Sequence, residues 1–92
     1  MLTIKYTSSY KRDYKRIKKR NYDISELNKV IYMLMNQIPL PAEYLDHELE
    51  ISRNYKNVRE CHIKNDWLLV YRIFKNELIL ELLHTGTHSD LF

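Results

Sequence analysis

The sequence of 92 residues has few of the features that mark secreted or membrane proteins. It contains one cysteine, Cys61, so a disulfide within the chain is impossible and a reducing, cytoplasmic setting is expected. The first residues lack an apolar stretch long enough for a signal peptide. No apolar run reaches the length of a transmembrane helix, so we expect no membrane partner.

The presence of only one cysteine also limits the chemistry. A zinc site built on cysteine pairs is excluded. His84 and His88 have the spacing of ligands on a helix, but the Thr85-Gly86-Thr87 segment between them is expected to form a turn. Cys61 is expected to be buried in a strand, with His62 on the opposite face, and not to act as a nucleophile. We therefore expect no metal and no cofactor.

Positive charge is concentrated near the amino terminus. The first twenty residues hold eight basic side chains and one acid, Asp13, whereas the rest of the chain holds seven basic and eleven acidic residues. On a protein with a net charge of only +3, such a block indicates either a polyanion partner at one end or a solvated helix face. The candidate contacts to a nucleic acid backbone are Lys15, Lys18 and Lys19.

The spacing of apolar residues predicts a strand, two helices and three further strands, in that order. These elements are expected at residues 2–6, 7–20, 23–38, 57–63, 67–74 and 78–83. Pro39 and Pro41 end the second helix, and residues 39–54 are expected to be irregular.

This order predicts one α+β domain over residues 1–92, with a two-helix hairpin packed on one face of a mainly antiparallel sheet of about four strands. The last two predicted strands are apolar on both faces. Because the helices can cover only one face, the tail, a ligand or a partner must cover part of the other.

The histidines fall outside both predicted helices, in loops and at strand ends where functional residues concentrate. His47 lies in the long loop, His62 ends a strand, and His84 and His88 flank the predicted turn. Each of them alone is more often a structural residue. Their joint placement, with Asp66-Trp67 next to His62, indicates an acid/base site.

Metal-free cleavage of RNA suits these residue types. RNA supplies its own nucleophile, the 2′-hydroxyl. Histidine can remove that proton and protonate the departing 5′-oxygen near neutral pH, and cationic side chains can stabilise the phosphorane. An aromatic ring such as Trp67 or Phe92 can stack on a splayed base.

Four segments together resemble the YafQ branch of the RelE superfamily of toxins. They read LPAEYLDHEL at 40–49, VRECHI at 58–63, DWLLVY at 66–71 and TGTHSDLF at 85–92. The similarity is strong over residues 40–92 and looser over 1–39. The Asp-His pair, the Arg-x-x-His strand and the Gly-Thr-His tail ending in Leu-Phe are specific as a set.

The resemblance implies the RelE/ParE-like fold and an mRNA endoribonuclease that enters the ribosomal A site. It also implies a cognate antitoxin that silences the toxin, in a complex that can bind operator DNA. The implied catalytic or substrate contacts are His47, His62, Asp66, Trp67, His88 and Phe92. The branch usually has arginine just before the tail, where this chain has His84.

Within that implied mechanism His88 is assigned as the general acid and either His62 or His47 as the general base, with Asp66 orienting one imidazole. The acid and base roles can also be reversed. Arg59 is a candidate for phosphate contact unless it points into the fold.

His84 is the other candidate for phosphate contact, and Trp67 and Phe92 are expected to position bases. The alternative function is that of a relative that does not cut RNA, either a ParE-like gyrase poison or an antitoxin-binding co-repressor.

Overall fold

The fold is built on a five-stranded sheet in which the first strand of the chain lies beside the last. The computed structural model describes residues 1–49 and 57–92, and the strand order is β1-β5-β4-β3-β2. β1 runs parallel to β5, and the other neighbours are antiparallel. The strands are β1 (Thr3–Tyr6), β2 (His47–Glu48), β3 (Val58–Lys64), β4 (Trp67–Phe74) and β5 (Ile79–Gly86).

Two longer helices, α1 (Ser8–Lys19) and α2 (Ile24–Met35), follow β1, and a short α3 (His88–Leu91) follows β5. Thr7 caps α1: its hydroxyl accepts the backbone N–H of Tyr10 at 3.1 Å and lies 2.8 Å from the carbonyl of Leu82. The start of α1 is thereby tied to β5. The apolar stripes of both helices share one core with one face of the sheet, which confirms the predicted arrangement. No helix among the described residues is long and apolar enough to cross a membrane.

α2 ends three residues before the predicted position. The backbone N–H of Asn36 donates to the carbonyl of Tyr32 at 3.1 Å, and its side-chain amide donates to the same oxygen at 2.9 Å. Gln37 then takes a left-handed conformation, with φ of 54°. Ile38, which continues the apolar stripe in the sequence, therefore lies outside the helix.

The sheet has one strand more than expected, because β2 forms inside the segment predicted to be irregular. His47 pairs with Glu60, and Glu48 pairs with Arg59, on the edge of the sheet. A strand of two residues is too short to produce an alternating pattern, so its formation depends on the neighbouring strand.

The predicted turn at Thr85-Gly86-Thr87 is wrong in its position. β5 continues to Gly86, and His88 is the first residue of α3. Gly86 has a φ of 153°, and a Cβ there would come within 2.9 Å of a carboxylate oxygen of Asp90, so this close approach requires glycine.

The face of the sheet away from the helices carries a second, smaller core. Val58, Val70 and Leu83 are buried there, and Leu49 and Leu91 pack against them. Leu91 belongs to α3, which confirms that the tail covers part of this face.

Candidate active site

Two histidines share one buried carboxylate on the face of the sheet away from the helices. His47 lies opposite Glu60 in the β2–β3 register, and His62 follows Glu60 by two residues along β3. All three side chains therefore point to the same face of the sheet. The Nε2 atoms of His47 and His62 each lie 3.8 Å from Oε1 of Glu60. Glu60 is buried and the imidazoles are at least partly accessible, so the acid holds two titratable rings at one point.

A third histidine reaches this point from α3. Nδ1 of His88 is hydrogen-bonded to the Asp66 carboxylate in the turn between β3 and β4, and this bond holds the pKa of Asp66 below its usual value. The backbone N–H of His88 points to the same oxygen at 3.4 Å. The centroids of the His62 and His88 rings are 5.9 Å apart. Asp66 is therefore the residue that orients an imidazole, and the imidazole is that of His88.

The position of α3 depends on Asp90. Its carboxylate accepts the backbone N–H of Thr87, and the Thr87 hydroxyl accepts the N–H of Asp90, which closes a capping box. Arg20, at the end of α1, donates two hydrogen bonds to the same carboxylate at 2.7 and 3.0 Å. These bonds hold the pKa of Asp90 well below its usual value, Arg20 contributing most.

His84 is held by α1. Its Nδ1 lies 2.9 Å from Oδ2 of Asp13, a residue that is only 3% exposed. The sequence made His84 a candidate for phosphate contact, and the structure gives it a carboxylate partner that sequence reasoning did not identify.

Arg59 faces the helix side of the sheet. Its guanidinium donates to both carboxylate oxygens of Asp46, at 3.3 and 3.2 Å. This residue was predicted either to contact phosphate or to point into the fold; the structure pairs its guanidinium with Asp46, and 39% of the side chain remains exposed.

The two candidate aromatic residues differ in accessibility. Trp67 is 6% exposed; its Nε1–H donates to Thr85 at 2.9 Å, and its ring packs at 5.0 Å against Tyr22. Its ring is therefore part of the core and has little surface left for a base. Phe92 is 59% exposed, with its centroid 6.3 Å from that of His88.

The basic block of α1 is divided between two faces. Lys15 and Lys18 line a groove of about 760 Å³ between α1 and α2, whose wall is formed by Tyr6, Tyr10 and Tyr14. Lys19 is exposed at the helix end. The arginines Arg16 and Arg20 turn instead towards Asp90 of α3.

The described residues offer no group of three or more histidine, cysteine or acidic side chains placed to hold a metal ion. Burial raises the pKa of the Cys61 thiol to about 12, so this side chain is an unreactive core residue at neutral pH.

Sequence reasoning missed Glu60 and the two lysines near His62. Glu60 stands two residues before His62, and the period of a strand already places both on one face. Lys29 and Lys64 line a depression of about 450 Å³ together with His62. They come from α2 and from the end of β3, so only the packing of helix on sheet brings them together.

The fold and the grouping of histidines with carboxylates agree with the class of small bacterial toxins that the resemblance implied, the RelE type. The family model of the bacterial toxin of type II toxin–antitoxin systems, YafQ, matches residues 2–92. This chain belongs to that family, which confirms the resemblance.

Individual relatives agree with this assignment. The mRNA interferase toxin YafQ of Escherichia coli K12 is 38% identical over 90 residues, covering 97% of this chain and 94% of the relative. The crystal structure of the E. coli DinJ–YafQ complex matches with a TM-score of 0.88 at 35% identity, covering 100% of this chain and 99% of that one. A metal-bound toxin from Helicobacter pylori matches with a TM-score of 0.91 at 42% identity, covering 100% of both chains.

Proposed function

We propose that this chain is a ribosome-associated mRNA endoribonuclease that uses the RNA 2′-hydroxyl as nucleophile and is silenced by a cognate antitoxin. The name of the E. coli relatives, mRNA interferase toxin, supports the activity. The DinJ–YafQ toxin–antitoxin complex of E. coli supports an antitoxin partner. The observation that carries the mechanism is the grouping of three histidines with two carboxylates: His47 and His62 lie at Glu60, and His88, bonded to Asp66, has its ring centroid 5.9 Å from that of His62.

His47 is the preferred general base. Its Nδ1 lies 2.6 Å from the carbonyl oxygen of Leu45. A carbonyl only accepts, so Nδ1 carries the proton and Nε2 of the neutral ring keeps its lone pair. His62 has the same arrangement with the carbonyl of Asn65, but at 3.4 Å the bond is at the limit of hydrogen-bonding distance. The shorter bond favours His47 as the ring that takes the 2′-hydroxyl proton.

His88 is the preferred general acid. The Asp66 carboxylate accepts from Nδ1, so Nε2 points away from Asp66, and the proton that Nε2 carries in the imidazolium form is available for the 5′-oxygen that leaves. Phe92, exposed beside His88, is placed to stack on a neighbouring base.

Cations near the site supply charge for the phosphorane and the RNA backbone. His84 is the candidate on β5, and Lys64 and Lys29 are candidates beside His62. The exposed lysines of α1 can follow an RNA backbone or, in the antitoxin complex, contact operator DNA.

Mapping of new RNA 5′ ends in a translating extract tests the proposed function. The wild type should produce cuts at codon-regular positions, His88→Ala should not, and the neighbouring Ser89→Ala should cut like the wild type. If the protein inhibits the supercoiling of DNA by purified gyrase and produces no new RNA ends, the result would instead support a gyrase poison. Antitoxin binding without either effect would support a co-repressor.

Chelation tests the metal-free step. We expect cleavage of a short model RNA to continue with a chelator present, because the proton transfers are assigned to imidazoles. A relative from H. pylori has been crystallised with a metal, so the same assay should include added zinc and copper. Complete loss of cutting on chelation, rescued by zinc, would overturn this part of the proposal.

A further inference from the structure

The carboxylate of Asp46, one residue before His47, is held from two strands. Arg59 of β3 donates to both of its oxygens, at 3.3 and 3.2 Å. The hydroxyl of Tyr71 on β4 donates to Oδ1 at 2.5 Å. Arg59 and Tyr71 are direct partners in the β3–β4 register, so they approach Asp46 from adjacent positions on one face of the sheet.

His47 needs such support because its own strand is weak. β2 contains two residues, and within residues 1–49 and 57–92 it pairs with β3 alone, at the edge of the sheet. The imidazole is oriented through the carbonyl of Leu45, a residue in the left-handed conformation with φ of 49°. The direction of that carbonyl depends on how the backbone between Leu45 and His47 is held.

The bonds to Asp46 are suited to this task. Consecutive residues of an extended chain point to opposite faces, so Asp46 can be held on the helix side while His47 faces Glu60 on the other. Burial, followed by the Asp46 carboxylate, raises the pKa of Tyr71, so its hydroxyl remains a donor at working pH. The same carboxylate raises the pKa of Arg59. The bonds are charge-assisted, and these are the stronger class of hydrogen bond in proteins.

We infer that Asp46, Arg59 and Tyr71 form a clamp that positions the imidazole of His47 for proton transfer. The three are positioning residues, because they act on the reaction through His47. The inference assigns Arg59 to this clamp and not to the RNA phosphates. It rests on the proposed function for its kinetic consequence, but its structural consequence can be measured without RNA.

Nitrogen NMR of the histidine rings tests the clamp directly. At a pH where His47 is neutral, the wild type should show the tautomer with the proton on Nδ1. Tyr71→Phe and Asp46→Ala should shift the His47 signals towards a mixture of tautomers and leave those of His88 unchanged. Tyr10→Phe, which removes a hydroxyl from another buried tyrosine on α1, is the matched control and should change nothing at His47. Unchanged His47 signals in folded Asp46→Ala would overturn the clamp.

Single-turnover cleavage then tests the kinetic consequence. Misplacing a reacting group by about 1 Å can lower a rate by up to about a hundredfold, so Tyr71→Phe and Asp46→Asn should reduce the rate at saturation and leave the affinity for RNA-programmed ribosomes unchanged. Asp46→Asn should retain more activity than Asp46→Ala, because its amide oxygen still accepts from Tyr71. The wild type and the three variants Tyr71→Phe, Asp46→Asn and Asp46→Ala could cleave at equal rates although the His47 NMR signals change in the variants. That result would show that His47 is not the general base.

The salt dependence of binding separates the two roles of Arg59. A clamp residue leaves the slope of log affinity against log salt unchanged in Arg59→Gln. A phosphate contact lowers the slope by about 0.7 to 0.9, and that result would overturn the assignment of Arg59 to the clamp. If the wild type cuts no RNA, but Tyr71→Phe still shows the expected change of tautomer at His47, the proposed function is refuted and the clamp is not.

Discussion

Nδ1 of His84 lies 2.9 Å from Oδ2 of Asp13, the one acidic residue among the first twenty. The same oxygen accepts the backbone N–H of Thr85 at 3.3 Å, and Arg16 lies 3.7 Å from the other oxygen. Because a carboxylate only accepts hydrogen bonds, the neutral His84 ring carries its proton on Nδ1, and its Nε2 atom is unprotonated. A buried acid of α1 therefore sets the orientation of an imidazole on β5.

His88→Ala should lower the cleavage rate far more than ribosome affinity. A positioned proton donor contributes about 10²–10⁴-fold to a rate, whereas one imidazole adds little to phosphate binding. Asp66→Asn should have a smaller effect, because its amide oxygen can still accept the hydrogen bond from Nδ1 of His88. Single-turnover rates across pH 5 to 9, with Ser89→Ala as the control, provide the measurement. A wild-type rate in folded His88→Ala would remove His88 from the mechanism.

The Asp90 carboxylate should stabilise the fold at neutral pH and lose this effect in acid. Its folded-state pKa is lowered, mainly by Arg20, so the stabilisation is complete above the unfolded value of about 3.9. It is lost as the pH falls through the lower folded-state value. Urea unfolding of Asp90→Asn should show a lower midpoint than the wild type at pH 7, and the gap should narrow at pH 2. Glu77→Gln, in the exposed turn between β4 and β5, is the control, and an equal gap at both pH values would contradict the assignment.

The lysines of α1 should set affinity and not chemistry. Replacing Lys15, Lys18 and Lys19 by glutamine should flatten the salt dependence of RNA or ribosome binding by about 0.7 to 0.9 for each phosphate that the variant no longer neutralises. Saturated single-turnover rates should change little, because none of the three contacts the histidines. Lys75→Gln, in the turn that follows β4, is the control. An unchanged slope in the triple variant would show that this face is solvated or is reserved for the antitoxin.

Most of the fold could be predicted from the sequence because its longer elements carry clear periods. The stripe of α2 and the long apolar strands β4 and β5 are each readable alone. β2 could not be predicted, because a strand of two residues is too short to show an alternation of apolar and polar residues. The extension of β5 through His84 to Gly86 could not be predicted either, because it depends on the β4 partner and on the hydrogen bond from Trp67 to Thr85.

The site was predictable in its residue types and not in its contacts. The motif set pointed to His47, His62 and His88, and the structure gives each a carboxylate neighbour. Asp66 was named from the sequence as an acid that orients one imidazole, but the imidazole could not be identified, because His88 reaches Asp66 only through the position of α3. Glu60 was missed, although the period of β3 already places it on the same face as His62. Trp67 shows the converse: a residue that belongs to a motif can serve the core.

His84→Arg should keep the fold and raise the cleavage rate at pH 7.5 and above. An arginine is always charged and can grip two phosphate oxygens, whereas an imidazole is mostly neutral in this range unless a bound phosphate favours its protonated form. Charge on the phosphorane develops in the transition state, so a fixed cation should increase the rate more than the affinity. Asp13 can accept from the guanidinium as it does from His84, so the buried acid keeps a partner.

The pH dependence of His84→Arg discriminates between two roles for this position. If His84 supplies charge, the wild type should lose rate with rising pH more steeply than His84→Arg, and only the difference between the two profiles is diagnostic because other histidines titrate as well. If His84 transfers a proton instead, His84→Arg will be nearly inactive at every pH while it still binds ribosomes. That outcome would end the assignment of His84 to charge stabilisation and move the free Nε2 of its ring into the proton path.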